Sequence, residues 1–221
     1  MSSEDLRKRI MSAVKTVVVK VGTRVLSDRS GKLDRKVVSS LSRQIHELTE
    51  RGLKVVLVSS GAVGAGMGEL NLAGRPKTLP QLQAAAAVGQ SHLIQAYDEE
   101  FRRYGHRAAQ VLLIREDFHD RLRYLNTRNT IHAILDFGAI PVINENDTTS
   151  VEELELSFTD NDTLAALVTN LLRAELLIIL TSVDGLMDPK TGRVVDVVET
   201  LDRSVRELAT PERSPGGKGG M

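Results

Sequence analysis

The sequence predicts an α/β protein, a three-layer αβα sandwich with a mostly parallel central sheet. Two observations lead to this fold class. Short segments rich in β-branched residues alternate along the chain with longer segments whose apolar residues recur at helical spacing. The short segments are apolar throughout, rather than at alternate positions, which is typical of parallel strands covered by helices on both faces.

The composition is that of an ordinary globular protein and excludes several classes of function. Of 221 residues, 41% are hydrophobic and 26% are charged. The 29 Lys and Arg residues balance 29 Asp and Glu residues, which disfavours a broad surface for nucleic acid or anionic membrane. The absence of cysteine excludes disulfides, thiolate nucleophiles and Cys-ligated zinc. We see no signal-peptide core and no membrane-spanning run, so we expect a cytoplasmic protein with neither nucleic-acid nor membrane partners.

The first half of the chain is predicted to form a strand, a helix, a second strand and a glycine-rich connection. Residues 15–22 are β-branched and end in glycine, which predicts a buried strand. Residues 33–52 predict a helix, because Asp34 can cap its start and Gly52 can end it. Residues 54–60 predict a second buried strand. After it we expect a glycine-rich bend over residues 61–68 and a loop over residues 71–80.

The second half continues the same alternation. The elements predicted by apolar periodicity are a long helix over 81–105, a strand over 107–114, a helix over 121–138 and a strand over 139–144. Residues 151–158 alternate apolar and charged, which predicts an exposed hairpin. A further helix starting at Asp160 leads to a fifth buried strand over 175–181. The tail rich in Gly and Pro is either a linker or a loop that is cut short.

Ligands of open α/β sheets bind at the carboxyl ends of the strands, so the residues there are the candidates for function. Lys20 stands in an otherwise apolar strand just before Gly22, and a buried ammonium needs an anion. It is either a phosphate-binding lysine or an edge-strand lysine that reaches water. The turn after the second strand begins at Ser60 and Gly61 and opens a helix, whose free N–H groups favour an anion. Such a turn is also a common structural feature, and both interpretations stay open.

Acidic and amide side chains follow the fourth strand and open the next helix. The two groups are Asn144, Glu145, Asn146 and Asp147, then Asp160, Asn161 and Asp162. An acidic first turn can simply complement the helix dipole. Several carboxylates in one crevice, however, repel each other unless a cation joins them. That cation is a ligand ammonium, Lys20 or Mg²⁺.

A series of motifs resembles those of the glutamate 5-kinase family, a branch of the amino acid kinase superfamily. In chain order they read VVKVGTRVL, VVLVSSGAVGAG, QAAAAVGQ, RYLNTRNT, PVINENDT, FTDNDTLAALV and LLIILTSVDGL. The resemblance implies an amino acid kinase domain over residues 15–221, preceded by an extension over residues 1–14. It also implies transfer of the ATP γ-phosphoryl group to the γ-carboxylate of L-glutamate, the first step of proline biosynthesis.

The resemblance further implies roles for individual residues. The expected catalytic residues are Lys20, which would contact the transferring phosphoryl group, and Asp162, which would organise the active-site lysines. The residues expected to bind the substrate are Ser60, Gly61, Asp147, Asn161 and Asp160. Those expected to bind the nucleotide are Lys20, Gly22, Thr181, Ser182, Gly217, Lys218, Gly219, Gly220 and Met221. Ser182 and Lys218 depart from the aspartate and threonine usual at these positions. Mg²⁺ would be held mainly by ATP phosphates and water, not by a dedicated set of protein ligands.

Other functions stay open on the same residues. They are the kinase portion of a bifunctional pyrroline-5-carboxylate synthase, a superfamily kinase acting on acetylglutamate, carbamate or uridylate, and a non-catalytic ligand-binding fragment. The motifs PVINENDT and RYLNTRNT argue against the other superfamily kinases. We also expect a homo-oligomer. We expect the kinase domain to be incomplete at its carboxyl end, with no PUA domain, because the chain stops before a second lysine of the family's nucleotide loop.

Overall fold

The computed structural model describes residues 3–28, 31–149, 161–189 and 191–208 of the chain. Several predictions therefore lie outside the described residues: the hairpin over 151–158, Asp160, Gly217, Lys218, Gly219, Gly220 and Met221. The chain divides into two compact units. The larger unit is Val14–Leu180, and the described residues before and after it form the smaller one.

The larger unit is built on a five-stranded sheet. Its strands are β1 Thr16–Val21, β2 Lys54–Ser59, β3 Ala108–Leu113, β4 Ile140–Glu145 and β5 Leu176–Leu180. Their spatial order is β3-β4-β2-β1-β5, and every neighbouring pair is parallel. The predicted parallel sheet is confirmed. Its carboxyl ends meet along one edge, so side chains far apart in the sequence are brought together there.

Nine helices are present in the described parts of the chain. They are α1 Ser3–Ala13, α2 Thr23–Leu26, α3 Arg35–Glu50, α4 Ala62–Glu69, α5 Leu79–Arg102, α6 Glu116–His119, α7 Arg121–Asp136, α8 Asn161–Leu172 and α9 Arg203–Leu208. The cap and the stop expected for α3 are confirmed: Asp34 accepts a hydrogen bond from the Lys36 N–H at 2.8 Å, and Gly52 has a φ of 83°.

Helices cover both faces of the sheet, which makes the larger unit a three-layer αβα sandwich. On one face α3 and α5 pack against alternate strand residues such as Val19 and Leu57. On the other face α7 and α8 pack against the intervening residues, such as Val18 and Val56. The continuously apolar strands are thus explained by two cores, one on each side of the sheet.

Two elements differ from the sequence prediction. The glycine-rich segment expected to be a bend is mostly the helix α4. Only its first residue, Gly61, turns the chain, with a left-handed φ of 103°. The last strand, expected to be fully buried, is only partly buried, and Ile179 is 44% exposed. β5 lies at the end of the strand order, so it has less cover than β1 or β2.

The backbones of α4 and α5 are in direct contact. A Cβ added to Gly66 would lie 1.8 Å from the carbonyl oxygen of Ala85, and one added to Gly89 would lie 1.8 Å from that of Ala62. Only glycine fits at these two positions, because no real Cβ approaches another atom so closely. The contact fixes α4, which follows directly after β2, against the long helix that packs on the sheet.

The smaller unit contains α1, α9 and two short strands, β6 Met187–Asp188 and β7 Arg193–Val194. The strands pair antiparallel, and Arg7 on α1 donates to the Asp196 carboxylate at 2.6 Å. No secondary structure was predicted for these segments. Among the described residues of both units, no helix has the length and apolar character needed to cross a membrane.

Candidate active site

A pocket of about 640 Å³ lies at the carboxyl ends of β2 and β4. Its walls come from the residues after these strands, the first turn of α4 and the start of α8. Four of the residues predicted to bind the substrate line it together: Ser60, Gly61, Asp147 and Asn161. They come from three separate stretches of the sequence, and the parallel sheet brings them to one place.

A chain of side-chain amides forms one wall of this pocket. Asn161, the first residue of α8, donates from Nδ2 to Ser60 Oγ at 2.8 Å and to Asn144 Oδ1 at 3.0 Å. Asn144 in turn donates from Nδ2 to Gln90 Oε1 at 2.8 Å. Asn144 and Gln90 are buried, so the hydrogen bond between them is shielded from water. The effect of these hydrogen bonds is to hold the ends of β2, β4 and α8 in a fixed relation.

The first turn of α4 gives the pocket a partial positive charge. The Ser60 N–H donates to the Val21 carbonyl at 3.0 Å, which ties the end of β2 to that of β1. Gly61 then turns the chain so that Gly61, Ala62, Val63 and Gly64 line the pocket. The first N–H groups of a helix have no partner inside the helix. Together with the helix dipole they favour an anionic group at this point.

The two predicted catalytic residues form an ion pair in which Lys20 is buried and Asp162 is partly buried. Lys20 Nζ lies 2.5 Å from Asp162 Oδ1, and the Lys20 residue is only 5% exposed. β1 lies between β2 and β5, so the alternative of an edge-strand lysine that reaches water is wrong. Asp162 directly follows Asn161, which lines the pocket. The carboxylate holds the buried ammonium in place near the carboxyl end of β1.

Gly22 leaves room beside this ammonium. Its N–H donates to the Leu180 carbonyl at 3.0 Å, and a Cβ at this position would lie 3.5 Å from Lys20 Nζ. The other predicted nucleotide-binding residues in the described ranges, Thr181 and Ser182, follow directly after β5. They belong to the smaller unit, in which Thr181 is partly buried and Ser182 is exposed.

The charged side chains of the pocket include Asp147, which was predicted to bind the substrate, and two arginines that the sequence analysis missed. Burial raises the pKa of the Asp147 carboxyl to about 6, so a cation beside it would favour the ionised form. Arg24 and Arg75, both exposed, also line the pocket. Arg24 lies within the motif VVKVGTRVL, so the motif could have identified it as a residue of the site. Arg75 lies in the loop before α5, and no local pattern marks it.

Proteins of known family match most of the chain. A sequence model of the amino acid kinase family matches residues 15–221. The chain belongs to the amino acid kinase family. Curated glutamate 5-kinases of Geobacter metallireducens and Syntrophotalea carbinolica are 47% and 49% identical over 98% of the chain, and that of Caldanaerobacter subterraneus subsp. tengcongensis is 51% identical over 93%. The chain spans between 56% and 59% of the length of these relatives. The resemblance first found in the motifs is therefore confirmed.

Proposed function

We propose that this protein is a glutamate 5-kinase that transfers the γ-phosphoryl group of ATP to the γ-carboxylate of L-glutamate. The observation that carries the proposal is the ion pair of the buried Lys20 with Asp162, the residue after Asn161 in the wall of a pocket suited to a zwitterion. The relatives named glutamate 5-kinase, which are 47–51% identical, support the same conclusion.

The pocket offers complementary groups to a small amino acid with two carboxylates. Asp147 would accept a charge-assisted hydrogen bond from the α-ammonium, the kind of partner that its raised pKa calls for. The first turn of α4, beginning at Gly61, favours a carboxylate. Glutamate bound in this way has its γ-carboxylate left over, and the positive charge of Lys20 is the neighbouring group that can attract it.

Phosphoryl transfer to a carboxylate needs no general base, because the carboxylate is already a nucleophile. One γ-carboxylate oxygen forms a bond to the γ-phosphorus as the bond from that phosphorus to the bridging oxygen of ADP breaks. The difficulty is that two anions must approach and stay in line, so catalysis consists of positioning and positive charge. Lys20 would donate to the oxygens of the transferring group, while Asp162 holds the ammonium in place.

We expect Mg²⁺ to bind as a complex with the nucleotide. Within the described ranges, no group of three or more His, Cys, Asp or Glu side chains is arranged to hold a metal ion. The resemblance implies an ion held mainly by phosphates and water, with at most one or two protein carboxylates. When bound, the ion would neutralise charge on the phosphates. Nucleotide contacts by Gly22, Thr181, Ser182 and the glycine-rich loop at the chain's end stay predictions, as does a homo-oligomer.

The test is an assay in which hydroxylamine traps an acyl phosphate as a hydroxamate. Acceptors are supplied one at a time with ATP and Mg²⁺: L-glutamate, acetylglutamate, carbamate and uridylate. We expect ADP and hydroxamate with L-glutamate alone. Phosphorylation of another acceptor would assign the protein to a different branch of its family. Glutamate binding without ADP formation would instead favour a non-catalytic ligand-binding role.

A further inference from the structure

The motif QAAAAVGQ, residues 83–90, has no role in the proposed phosphoryl transfer. Its last residue, Gln90, lies on α5 and is only 8% exposed. Gln90 Oε1 accepts the hydrogen bond from Asn144 Nδ2 at 2.8 Å. Gln90 Nε2 is buried and has no hydrogen-bond partner in the part of the chain that the structure describes. An unpaired buried donor costs free energy, so the Nε2 group of Gln90 does not stabilise the fold.

The amides of Asn161, Asn144 and Gln90 are ordered head to tail. Asn161 Nδ2 donates to Asn144 Oδ1, and Asn144 Nδ2 donates to Gln90 Oε1. A side-chain amide accepts hydrogen bonds at its oxygen and donates them from its nitrogen. The acceptor at Gln90 therefore decides which way Asn144 faces. If the Asn144 amide turned over, its Nδ2 would face Nδ2 of Asn161, and two donors cannot bond to each other.

The Asn161 donor is the link from this chain of amides to the pocket. Asn161 and Ser60 both line the pocket, and the bond between them is 2.8 Å long. Loss of the acceptor at Asn144 would free Asn161 to rotate away from Ser60. Gly89, the neighbour of Gln90, makes the direct backbone contact with α4. The same motif thus supports two walls of the pocket, the start of α4 and the amide wall.

We propose that Gln90 is a positioning residue for the acceptor substrate. It holds Asn144, and through Asn144 the pair of Asn161 and Ser60, in the geometry that receives the substrate, and it does not itself touch the substrate. The inference rests on the proposed function for the identity of that substrate, L-glutamate. Its structural part, the orientation of Asn144 and Asn161, can be measured without any substrate.

The experiment compares three variants of the full chain. Gln90→Met removes the strong acceptor at nearly constant shape, while Gln90→Glu keeps an oxygen that accepts from Asn144 whether or not the carboxyl is ionised. Gln95→Met is the control, since Gln95 is an exposed residue of the same helix that donates to Glu99 and lies outside the chain of amides. The readouts are L-glutamate binding by calorimetry, KM for each substrate, melting temperature, and the side-chain NH₂ signals of Asn144 and Asn161 by NMR.

We expect Gln90→Met to weaken glutamate binding by about tenfold or more, with the KM for ATP unchanged. Gln90→Glu should recover most of the affinity, and Gln95→Met should match the wild type. The proposal is wrong if Gln90→Met binds glutamate normally, or if Gln90→Glu keeps its melting temperature and loses the affinity. Failure of the wild type to bind glutamate would count against the proposed function instead. In that case the NMR signals decide: they should shift in Gln90→Met and stay in place in Gln95→Met.

Discussion

Replacing Gly89 by alanine tests the contact between α4 and α5 on which the pocket depends. The added methyl carbon would lie 1.8 Å from the Ala62 carbonyl oxygen and 2.3 Å from the Gly66 nitrogen. Real Cβ atoms essentially never come within 3.0 Å of such atoms, so the helices would have to move apart by about 1 Å or more. Both obstacles are backbone atoms, which cannot rotate aside as a flexible side chain could.

Two effects oppose each other in this substitution. Alanine in a helix interior is favoured over glycine by about 1 kcal/mol. Overpacking costs about 1–3 kcal/mol, occasionally more, and a backbone clash belongs at the upper end of that range. We therefore expect Gly89→Ala to lower the free energy of unfolding by about 2 kcal/mol, which for a chain of this length lowers the melting temperature by about 4–8 °C.

The assay is urea unfolding followed by circular dichroism, with Gly74→Ala as the matched control. Gly74 lies in the loop before α5, and no described atom lies within 4 Å of a Cβ placed there. The control should unfold within about 0.5 kcal/mol of the wild type. If Gly89→Ala is as stable as Gly74→Ala, the two helices are not in backbone contact and our account of the α4 position is refuted.

Three further predictions concern the candidate site. Lys20→Ala should lower turnover by about a hundred- to a thousandfold, far more than it weakens glutamate binding, whereas Lys54→Ala, which removes an exposed lysine paired with Asp136, should change neither. Near-normal turnover in Lys20→Ala would show that Lys20 does not stabilise the transferring phosphoryl group. Asp147→Asn should weaken glutamate binding by about 1.5–3 kcal/mol and spare the KM for ATP, with Asp136→Asn as control; an altered KM for ATP would place Asp147 on the nucleotide side. Because burial raises the pKa of Asp147 to about 6, the folded protein binds this proton more tightly than the unfolded chain. Its contribution to stability should therefore fall as pH rises from about 4 to about 6, and urea unfolding across this range should show that fall in the wild type but not in Asp147→Asn.

The strands and the main helices of the larger unit could be predicted from the sequence because their signals are local. A β-branched run ending at Gly22, or a cap at Asp34 followed by helical spacing, depends on residues close together in the chain. The family could also be recognised, since its motifs are short contiguous stretches. The same local reasoning failed at residues 61–68, where glycines normally signal a bend. There they form α4, because glycine is what the contact with α5 requires.

The order of the strands and the hydrogen bonds of the site were decided by the tertiary structure alone. Lys20 is buried because β1 lies between β2 and β5, and no residue close to Lys20 in the sequence indicates that order. The hydrogen bond of Asn144 to Gln90 joins residues 54 positions apart, and that of Asn161 to Ser60 joins residues 101 apart. Burial sets the raised pKa of Asp147 in the same way. Contacts of this kind depend on how whole elements pack against each other, so local patterns of charge and hydrophobicity cannot specify them.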